Sequence, residues 1–167
     1  NAKWGQLETV TPYTAADAPS RAQRVLRPGD TIVGTVRPGN GSYALISQAG
    51  LTGSTGFAVL RPRSANCTEF VYLAATCREN IEALAHLADG GAYPAVRPEV
   101  IAATPGVIPQ HAVLSAFSRI EEPLFAKVAR NNRESRTLAA MRDALLPKLI
   151  SGEVRLVRGS RPVAEEA

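Results

Sequence analysis

The sequence predicts an α+β fold, in which a small globular domain with a mixed or antiparallel sheet is followed by a long α-helix. Two observations predict it. Short apolar runs bounded by glycine and proline turns, typical of strands, recur through the first two-thirds of the chain. From residue 110 onwards, apolar side chains recur every three or four positions, which is the period of an amphipathic helix. The chain has 167 residues, 45% of them hydrophobic, which suffices for one packed core.

The first strands are predicted from the turn residues that flank them. The segment up to about Arg24 shows no regular period and is predicted to be a loop. Residues 31–36 follow an Arg-Pro-Gly-Asp turn and are predicted to form a strand, with residues 43–46 as the returning strand. Asn40 and Gly41 are predicted to make the hairpin turn between them, because both residue types accept a positive φ.

The middle of the chain is predicted to contain further short strands. Residues 50–56 contain three glycines among polar residues and are predicted to form a polar loop. Residues 92–98 are predicted to be an ordered loop or a short strand. Strands are predicted at residues 57–60, at residues 69–74 and within residues 100–108.

One helix is predicted ahead of the C-terminal helical region. Thr76 and Glu79 have the spacing of a capping box, in which each side chain satisfies a free backbone donor at the helix start. We therefore expect a helix that ends near the glycine pair that follows. Its apolar face is predicted to contain Ile81, Leu84 and Leu87.

The long C-terminal helix is expected to extend beyond the globule. Pro123 should kink it or start a new helix. The 28 residues of 123–150 correspond to about 42 Å of helix, longer than the roughly 30 Å diameter of a small domain. We therefore divide the chain into a globule of residues 1–109, a helical region of residues 110–157 and a frayed tail of residues 158–167.

The apolar stripe of this helix indicates a partner helix. Its positions follow an interrupted heptad, and an isolated exposed helix of this length would be marginally stable. Packing against the chain's own globule is the alternative, but the helix is too long for that to cover it. The residues predicted to form the assembly surface are Leu124, Val128, Leu138, Met141, Leu145 and Leu149.

Several classes of protein are disfavoured. No apolar run approaches the roughly 20 residues of a transmembrane helix. Cys67 and Cys77, with nine residues between them, have neither a zinc spacing nor a disulfide framework, so a reducing cytoplasm is the default compartment. His86 and His111 have no carboxylate or cysteine at ligand spacing. No phosphate loop, paired carboxylates or nucleophile elbow is present, so we expect neither catalysis nor a metal site.

The charge favours a polyanionic partner. Of 19 basic residues, 16 are arginines, and the net charge is +4. The planar guanidinium group suits phosphates and guanine edges, although the codon usage of a GC-rich genome would give the same excess. Polar and basic side chains in predicted turns and at strand ends could reach DNA if their loops share one face. These candidates are Arg37, Asn40, Ser42, Ser54, Thr55, Arg61, Arg63, Tyr93 and Arg97.

Four sequence motifs carry a resemblance to a known family. Residues 138–156 read LAAMRDALLPKLISGEVRL, and this stretch closely resembles the conserved helix that ends the specificity subunits of type I restriction–modification enzymes. Three weaker landmarks of their target recognition domains occur upstream in the right order. They are GDTIV at residues 29–33, GSTGFAVLRP at residues 53–62 and GGAYP at residues 90–94.

The resemblance implies a non-catalytic DNA-recognition and scaffolding role. It makes residues 1–109 a DNA target recognition domain and residues 110–157 a conserved helical region for coiled-coil and subunit assembly. Specificity subunits read a split DNA sequence with two recognition domains, and their conserved helices pack as an antiparallel coiled coil. The helices dock methyltransferase and restriction subunits, to which S-adenosylmethionine, ATP and Mg²⁺ belong, so no cofactor is expected here. The implied partners are double-stranded DNA, those subunits, and a second specificity half or an identical chain.

The sequence departs from the family pattern in two ways. It has one recognition domain and one conserved helix instead of two of each, so it is interpreted as a half-length subunit or a C-terminal half. It also lacks the usual opening strand, apart from a remnant around Trp4. Two other functions stay open at this point: the recognition part of a fused restriction-methyltransferase enzyme, and a helical assembly module that does not bind DNA.

Overall fold

The structure is a computed structural model that describes residues 1–8, 10–89 and 91–154. Its α+β class confirms the prediction. The strands are β1 (Ala2–Lys3), β2 (Gln6–Leu7), β3 (Ala22–Val25), β4 (Thr31–Gly34), β5 (Tyr43–Leu45), β6 (Thr52–Ser54) and β7 (Phe57–Leu60). The α-helices are α1 (Thr68–Thr76), α2 (Arg78–His86), α3 (Pro98–Ala102) and α4 (His111–Ile150).

The centre of the fold is a three-stranded antiparallel sheet in the order β5–β4–β7. All four residues of β4 are buried. Successive strand residues face opposite sides of a sheet, so Ile32 and Val33 enter different cores. Val33 packs in a cluster with side chains of α1, α2 and α3, whereas Ile32 packs with Ala2 of β1, Ala44 of β5 and Leu26. Helices thus cover one face, and the N-terminal segments cover the other.

The three strands of this sheet lie where the sequence predicts them. β4 pairs with β5 through Ile32 and Ala44, and with β7 through Ile32 and Val59. β7 has the predicted bounds, whereas β4 and β5 are two residues and one residue shorter than predicted, because the ladder gives way to loop hydrogen bonds beyond Gly34 and Leu45.

The loops predicted at residues 50–56 and up to Arg24 are wrong in part, because the first contains β6 and the second contains β1, β2 and most of β3. β6 pairs antiparallel with β3, so the two form a ribbon. Gly53 permits this pairing, because a Cβ atom there would lie 3.3 Å from a methyl group of Leu26. The partner of each strand is far away in sequence, and neither segment shows a strand pattern by itself.

Two other predicted strands are helices. Residues 69–74 lie in α1, where Phe70 and Tyr72 meet the rings of Phe117 and Phe125 edge to face. These contacts stabilise a helix in a segment whose aromatic and β-branched residues favour a strand. Part of the strand predicted within residues 100–108 lies in α3, which begins at a proline, a residue well suited to the first helical turn.

The helix predicted after Thr76 is present as α2, but the capping box is wrong. Thr76 is the last residue of α1, and its hydroxyl donates to the carbonyl oxygen of Tyr72 at 2.8 Å. The side-chain amide of Asn80 instead donates to the carbonyl oxygen of Ala75 at 2.7 Å and thereby links the two helices. Ile81 and Leu84 are buried as predicted, whereas Leu87 is 62% exposed because it lies beyond the last turn.

α4 continues through Pro123 as one helical element, so no new helix starts there. The chain divides into two compact units, residues 1–127 and residues 128–167. Within the first unit, Leu114 and Ser118 of α4 are buried. Within the second, residues 128–154 carry no buried side chain, and most are exposed. The predicted domain boundary at residue 109 and the predicted extension of the helix stay predictions, and the tail at 158–167 lies outside the described residues.

Candidate nucleic-acid interface

The loop between β4 and β5 has a different turn from the predicted one. Residues 38–40 form a 3-10 turn, and its backbone reverses at Arg37 and Gly41, which have φ values of 46° and 70°. The positive φ therefore falls on Arg37 and not on Asn40. An arginine in this left-handed region is uncommon, and its conformation is held by neighbouring segments.

Arg37 joins this loop to the segment that contains Tyr93. Its Nη2 donates to the carbonyl oxygen of Ala92 at 2.9 Å, and its guanidinium carbon lies 5.1 Å from the centroid of the Tyr93 ring. Its backbone N–H donates to the carbonyl oxygen of Pro94 at 2.8 Å. The structure therefore brings together two predicted site residues, Arg37 and Tyr93, whose side chains are both exposed.

Thr35, which directly follows β4, connects three of the predicted loops. Its backbone N–H and its hydroxyl both donate to the carbonyl oxygen of Gly56, at 2.9 and 3.0 Å. Its carbonyl oxygen accepts from the N–H of Val96 at 2.9 Å. Thr35 is buried. The loop of residues 35–42, the segment of residues 54–57 and the segment of residues 91–97 therefore meet at one end of the central sheet, which we call the Thr35 end.

The remaining predicted residues of the Thr35 end occupy these same loops. Ser54 ends β6, and Thr55 begins the turn to β7, where its backbone N–H donates to the carbonyl oxygen of Arg21 at 2.8 Å. Arg97 follows Val96 and precedes α3. Ser42 and the exposed Asn40 line an open cleft of about 520 Å³. Seven of the nine candidates thus share the loops of one end: Arg37, Asn40, Ser42, Ser54, Thr55, Tyr93 and Arg97.

Arg61 and Arg63 lie at the opposite end of the sheet, which we call the Asp30 end. Arg61 follows the last residue of β7, which pairs with the first residue of β4. Its Nε donates to Oδ1 of Asp30 and its Nη2 donates to Oδ2, both at 2.7 Å, so the two side chains form a bidentate ion pair. Asp30 is 1% exposed, and one of its oxygens also accepts from the backbone N–H of Arg27 at 2.8 Å. This geometry gives Arg61 a role in stabilising the fold.

The electrostatics of the Asp30 end follow from these contacts. Burial by itself would raise the pKa of the Asp30 carboxyl group, but the hydrogen bonds from Arg61 and Arg27 outweigh it and hold that pKa below its ordinary value. The same ion pair raises the pKa of the Arg61 guanidinium. Asp30 therefore stays charged in the folded protein.

The predicted assembly residues form an exposed apolar surface. Leu124, in the first unit, is 53% exposed. In the second unit Val128, Leu138, Met141, Leu145 and Leu149 are between 38% and 58% exposed. Apolar side chains repeated along one helix at this exposure are typical of a surface that another helix covers.

Thr35 and Trp4 are absent from the sequence-based candidates. Thr35 carries no signal that distinguishes it from an ordinary strand residue, because its partners are 21 and 61 positions away. Trp4 carries one weak signal, since it is the only tryptophan of the chain and precedes a glycine. It lines the same cleft as Asn40 and Ser42.

Neither a metal site nor a membrane helix is found in the described part of the chain. No group of three or more histidine, cysteine, aspartate or glutamate side chains in residues 1–8, 10–89 and 91–154 is arranged to hold a metal ion. Within the same residues, no helix combines the length and the apolar character that crossing a membrane requires.

Known proteins similar to this chain are specificity subunits. The chain is 42% identical over 50 residues to the type I restriction enzyme MjaIX specificity subunit of Methanocaldococcus jannaschii, a match that covers 30% of this chain and 12% of that protein. It is 27% identical over 135 residues to the type I restriction enzyme HindI specificity subunit of Haemophilus influenzae, covering 77% and 29% of the two chains. No model of a protein family matches the sequence.

A solved structure gives the same result. The HsdS subunit from Thermoanaerobacter tengcongensis superimposes with a TM-score of 0.51 and 29% sequence identity, over 88% of this chain and 38% of that one. The predicted resemblance to type I specificity subunits is confirmed by sequence and by fold. The matched regions span well under half the length of each of these relatives.

Proposed function

We propose that this protein recognises one half-site of a split DNA sequence as a specificity component of a type I restriction–modification system. One observation carries the proposal. In a chain similar to specificity subunits, seven predicted polar, aromatic and basic residues lie in loops that hydrogen bonds bring to a single end of the sheet. Sequence recognition requires such a convergent set, because base edges are read by several side chains within one groove.

The two ends of the sheet have different proposed tasks. At the Thr35 end, Arg37 and Asn40 have the side chains that pair with guanine and adenine edges, respectively, in the major groove. Ser42, Ser54, Thr55, Tyr93 and Arg97 are proposed to complete this surface. At the Asp30 end, Arg63 and the exposed part of Arg61 are proposed to contact the flanking phosphates. Those contacts add affinity without sequence information.

The exposed stripe of α4 is proposed as the assembly surface. Pairing with a second conserved helix, in antiparallel orientation, would cover Leu138, Met141, Leu145 and Leu149. The partner helix is proposed to come from a second specificity half or from a second copy of this chain. The paired helices would then scaffold the methyltransferase and restriction subunits.

Catalysis is proposed to belong to those other subunits. S-adenosylmethionine, ATP and Mg²⁺ would be bound there, and the assembled complex would work in the cytoplasm. The purified chain should therefore neither methylate nor cleave DNA when these compounds are added. Turnover by the pure chain that a point substitution within it abolishes would contradict this assignment.

The assembly proposal is tested by replacing Leu138 and Leu145 together with aspartate. Covering two unpaired carboxylates in an apolar interface is unfavourable, so we expect the pair of helices to dissociate. Light scattering should show an associated wild type and a monomeric double variant. Ala140→Asp is the control, because Ala140 is exposed and lies two residues from Leu138, about 200° around the helix and away from the apolar stripe. A wild type that is monomeric alone and does not co-purify with a methyltransferase subunit would contradict the proposal.

The recognition proposal is tested with the assembled complex. The chain is co-expressed with the neighbouring methyltransferase subunit, and the methylated sequence is mapped in the host DNA. We expect methylation at a split sequence that depends on this chain. The alternative function is a helical assembly module without a DNA role, and the exposed stripe of α4 is also compatible with it. Such a module would co-purify with the methyltransferase subunit but would not change the methylated sequence.

A further inference from the structure

The N-terminal hairpin places a strained tryptophan beside the Arg37 loop. β1 and β2 are joined by Trp4 and Gly5, which have φ values of 47° and 83°. The backbone N–H of Trp4 donates to the carbonyl oxygen of Gly41 at 2.7 Å, and the backbone N–H of Gly5 donates to the carbonyl oxygen of Tyr43 at 3.0 Å. Trp4 and Arg37 are the two described non-glycine residues with positive φ, and both adjoin the same 3-10 turn.

The Trp4 ring is held by neighbouring groups and is still largely exposed. A Cβ atom on Gly41 would lie 2.6 Å from the indole Cε3, so the ring packs closely on the glycine backbone. The Tyr43 ring meets it edge to face, with centroids 6.0 Å apart. Trp4 is nevertheless 60% exposed. A tryptophan that served only the core would be mostly buried, because its large apolar area provides the stabilisation.

Trp4 also lines a cleft with the chemistry of a nucleotide site. The cleft measures about 520 Å³ and is lined by Lys3, Trp4, Glu8, Asn40 and Ser42, among others. An aromatic face provides a stacking surface, an asparagine amide and a serine hydroxyl match base edges, and an ammonium group matches a phosphate. The Glu8 carboxylate can accept a hydrogen bond from a base amino group, whereas it would repel a phosphate. The phosphate therefore belongs on the Lys3 side.

We propose that Trp4 is a DNA-contacting residue whose indole ring packs against one nucleotide of the bound duplex, with Lys3 on the phosphate of that nucleotide. The inference rests on the proposed function, since it adds two residues to the Thr35 end. It explains why the hairpin is held against the Arg37 loop in a strained conformation. Bound DNA covers the exposed face of the ring and uses the position that this strain maintains.

The experiment uses the fluorescence of Trp4, which is the only tryptophan of the chain. The 167-residue chain is titrated at low salt with an unlabelled mixed-sequence duplex, and acrylamide quenching is measured with and without DNA. We expect the duplex to change the emission and to protect Trp4 from the quencher. This readout needs no substitution, so it does not depend on whether a variant folds.

Substitutions give the second readout, by anisotropy of a labelled duplex. Trp4→Ala should weaken binding about 5-fold, the lower end of the range for one aromatic–base contact on a single strand, because paired bases expose less of their faces. Trp4→Phe should restore most of the affinity. Tyr13→Ala is the matched control, because Tyr13 is 57% exposed and lies outside the cleft. Lys3→Ala should lower the slope of log affinity against log salt by about one unit.

Each outcome bears on one of the two proposals. Protection of Trp4 together with a selective loss in Trp4→Ala would support the inference. Duplex binding that leaves Trp4 open to the quencher, or that Trp4→Ala does not weaken, would overturn the inference and leave the proposed function standing. No duplex binding by the wild type, alone and in complex with the methyltransferase subunit, would overturn both.

Discussion

The two ends of the central sheet use polar groups in opposite ways. At the Asp30 end, the guanidinium of Arg61 is paired with a buried carboxylate, so a basic side chain stabilises the fold. At the Thr35 end, the links between loops are made mainly by backbone groups and by Thr35, and the polar side chains of the loops stay partly or fully exposed. An arginine at a strand end is therefore a candidate for reading a base edge only when its guanidinium is not already held by a buried carboxylate, whereas its exposed part can still meet a phosphate.

The largest expected effect comes from removing the carboxylate at the Asp30 end. Asp30→Ala should lower the free energy of unfolding by about 2–3 kcal/mol, because hydrogen bonds to a charged group are lost. Urea unfolding of the purified variants measures the change. Asp89→Ala is the control, since it removes an exposed carboxylate, and its effect should be within about 0.5 kcal/mol. Equal stabilities of the two variants would show that the ion pair does not stabilise the fold.

The next effect concerns DNA affinity at the Thr35 end. Arg37→Ala should weaken binding by about 1–3 kcal/mol on particular sequences, if its guanidinium reads a base edge. The free energy of unfolding of Arg37→Ala should differ little from that of the wild type, because the lost cation–π contact with Tyr93 lies at an exposed site. Titration of the methylated sequence and of a scrambled duplex measures the difference. A loss of equal size on both duplexes would assign Arg37 to phosphate contact.

Thr35→Val tests the connection among the loops by removing one hydroxyl at nearly constant volume. The hydroxyl donates to Gly56, so stability should fall by about 1 kcal/mol. DNA affinity should fall as well, because Thr35 holds the loops in place, although it is buried and is not proposed to contact DNA. Thr35→Ser is the control, because it keeps the hydroxyl group. An unchanged affinity in Thr35→Val would show that the loops hold their positions without this connection.

The smallest effect is the pH dependence of the Asp30 end. The pKa of Asp30 is lower in the folded protein than its ordinary value of 3.8, so the charged carboxylate contributes stability above that pH. The contribution is lost as the pH falls through the folded pKa. The stability difference between wild type and Asp30→Asn should therefore be constant near neutral pH and shrink only below about pH 4. A difference that disappears already near pH 6 would contradict the ion pair.

Local sequence predicts the parts of this fold whose cause is local. β4, β5 and β7 are apolar runs between turn residues, and the period of α4 is strong enough to identify a helix of 40 residues. β6 was not predicted, because its partner strand, β3, lies about 30 positions earlier in the chain. The segment of α1 was predicted to be a strand, because the rings that stabilise it as a helix, Phe117 and Phe125, lie more than 45 positions later.

The candidate site shows the same division. Turn chemistry identified the loops that carry Arg37, Asn40 and Tyr93, because glycine, proline and asparagine mark such loops in any fold. Which loops would meet depended on the contacts of Thr35 and Trp4 with distant backbone, which no short motif encodes. The role of Arg61 also depended on a distant residue, since the burial of Asp30 is a property of the folded chain.

The most direct test of the central claim compares one arginine from each end of the sheet. Wild type, Arg37→Ala and Arg63→Ala, each in complex with the methyltransferase subunit, are titrated over a range of salt with the methylated sequence and with a scrambled duplex. If the Thr35 end reads the sequence, Arg37→Ala should reduce the ratio of the two affinities. Arg63→Ala should leave that ratio unchanged and lower the salt slope by about one unit. A ratio that falls with Arg63→Ala and not with Arg37→Ala would contradict the account.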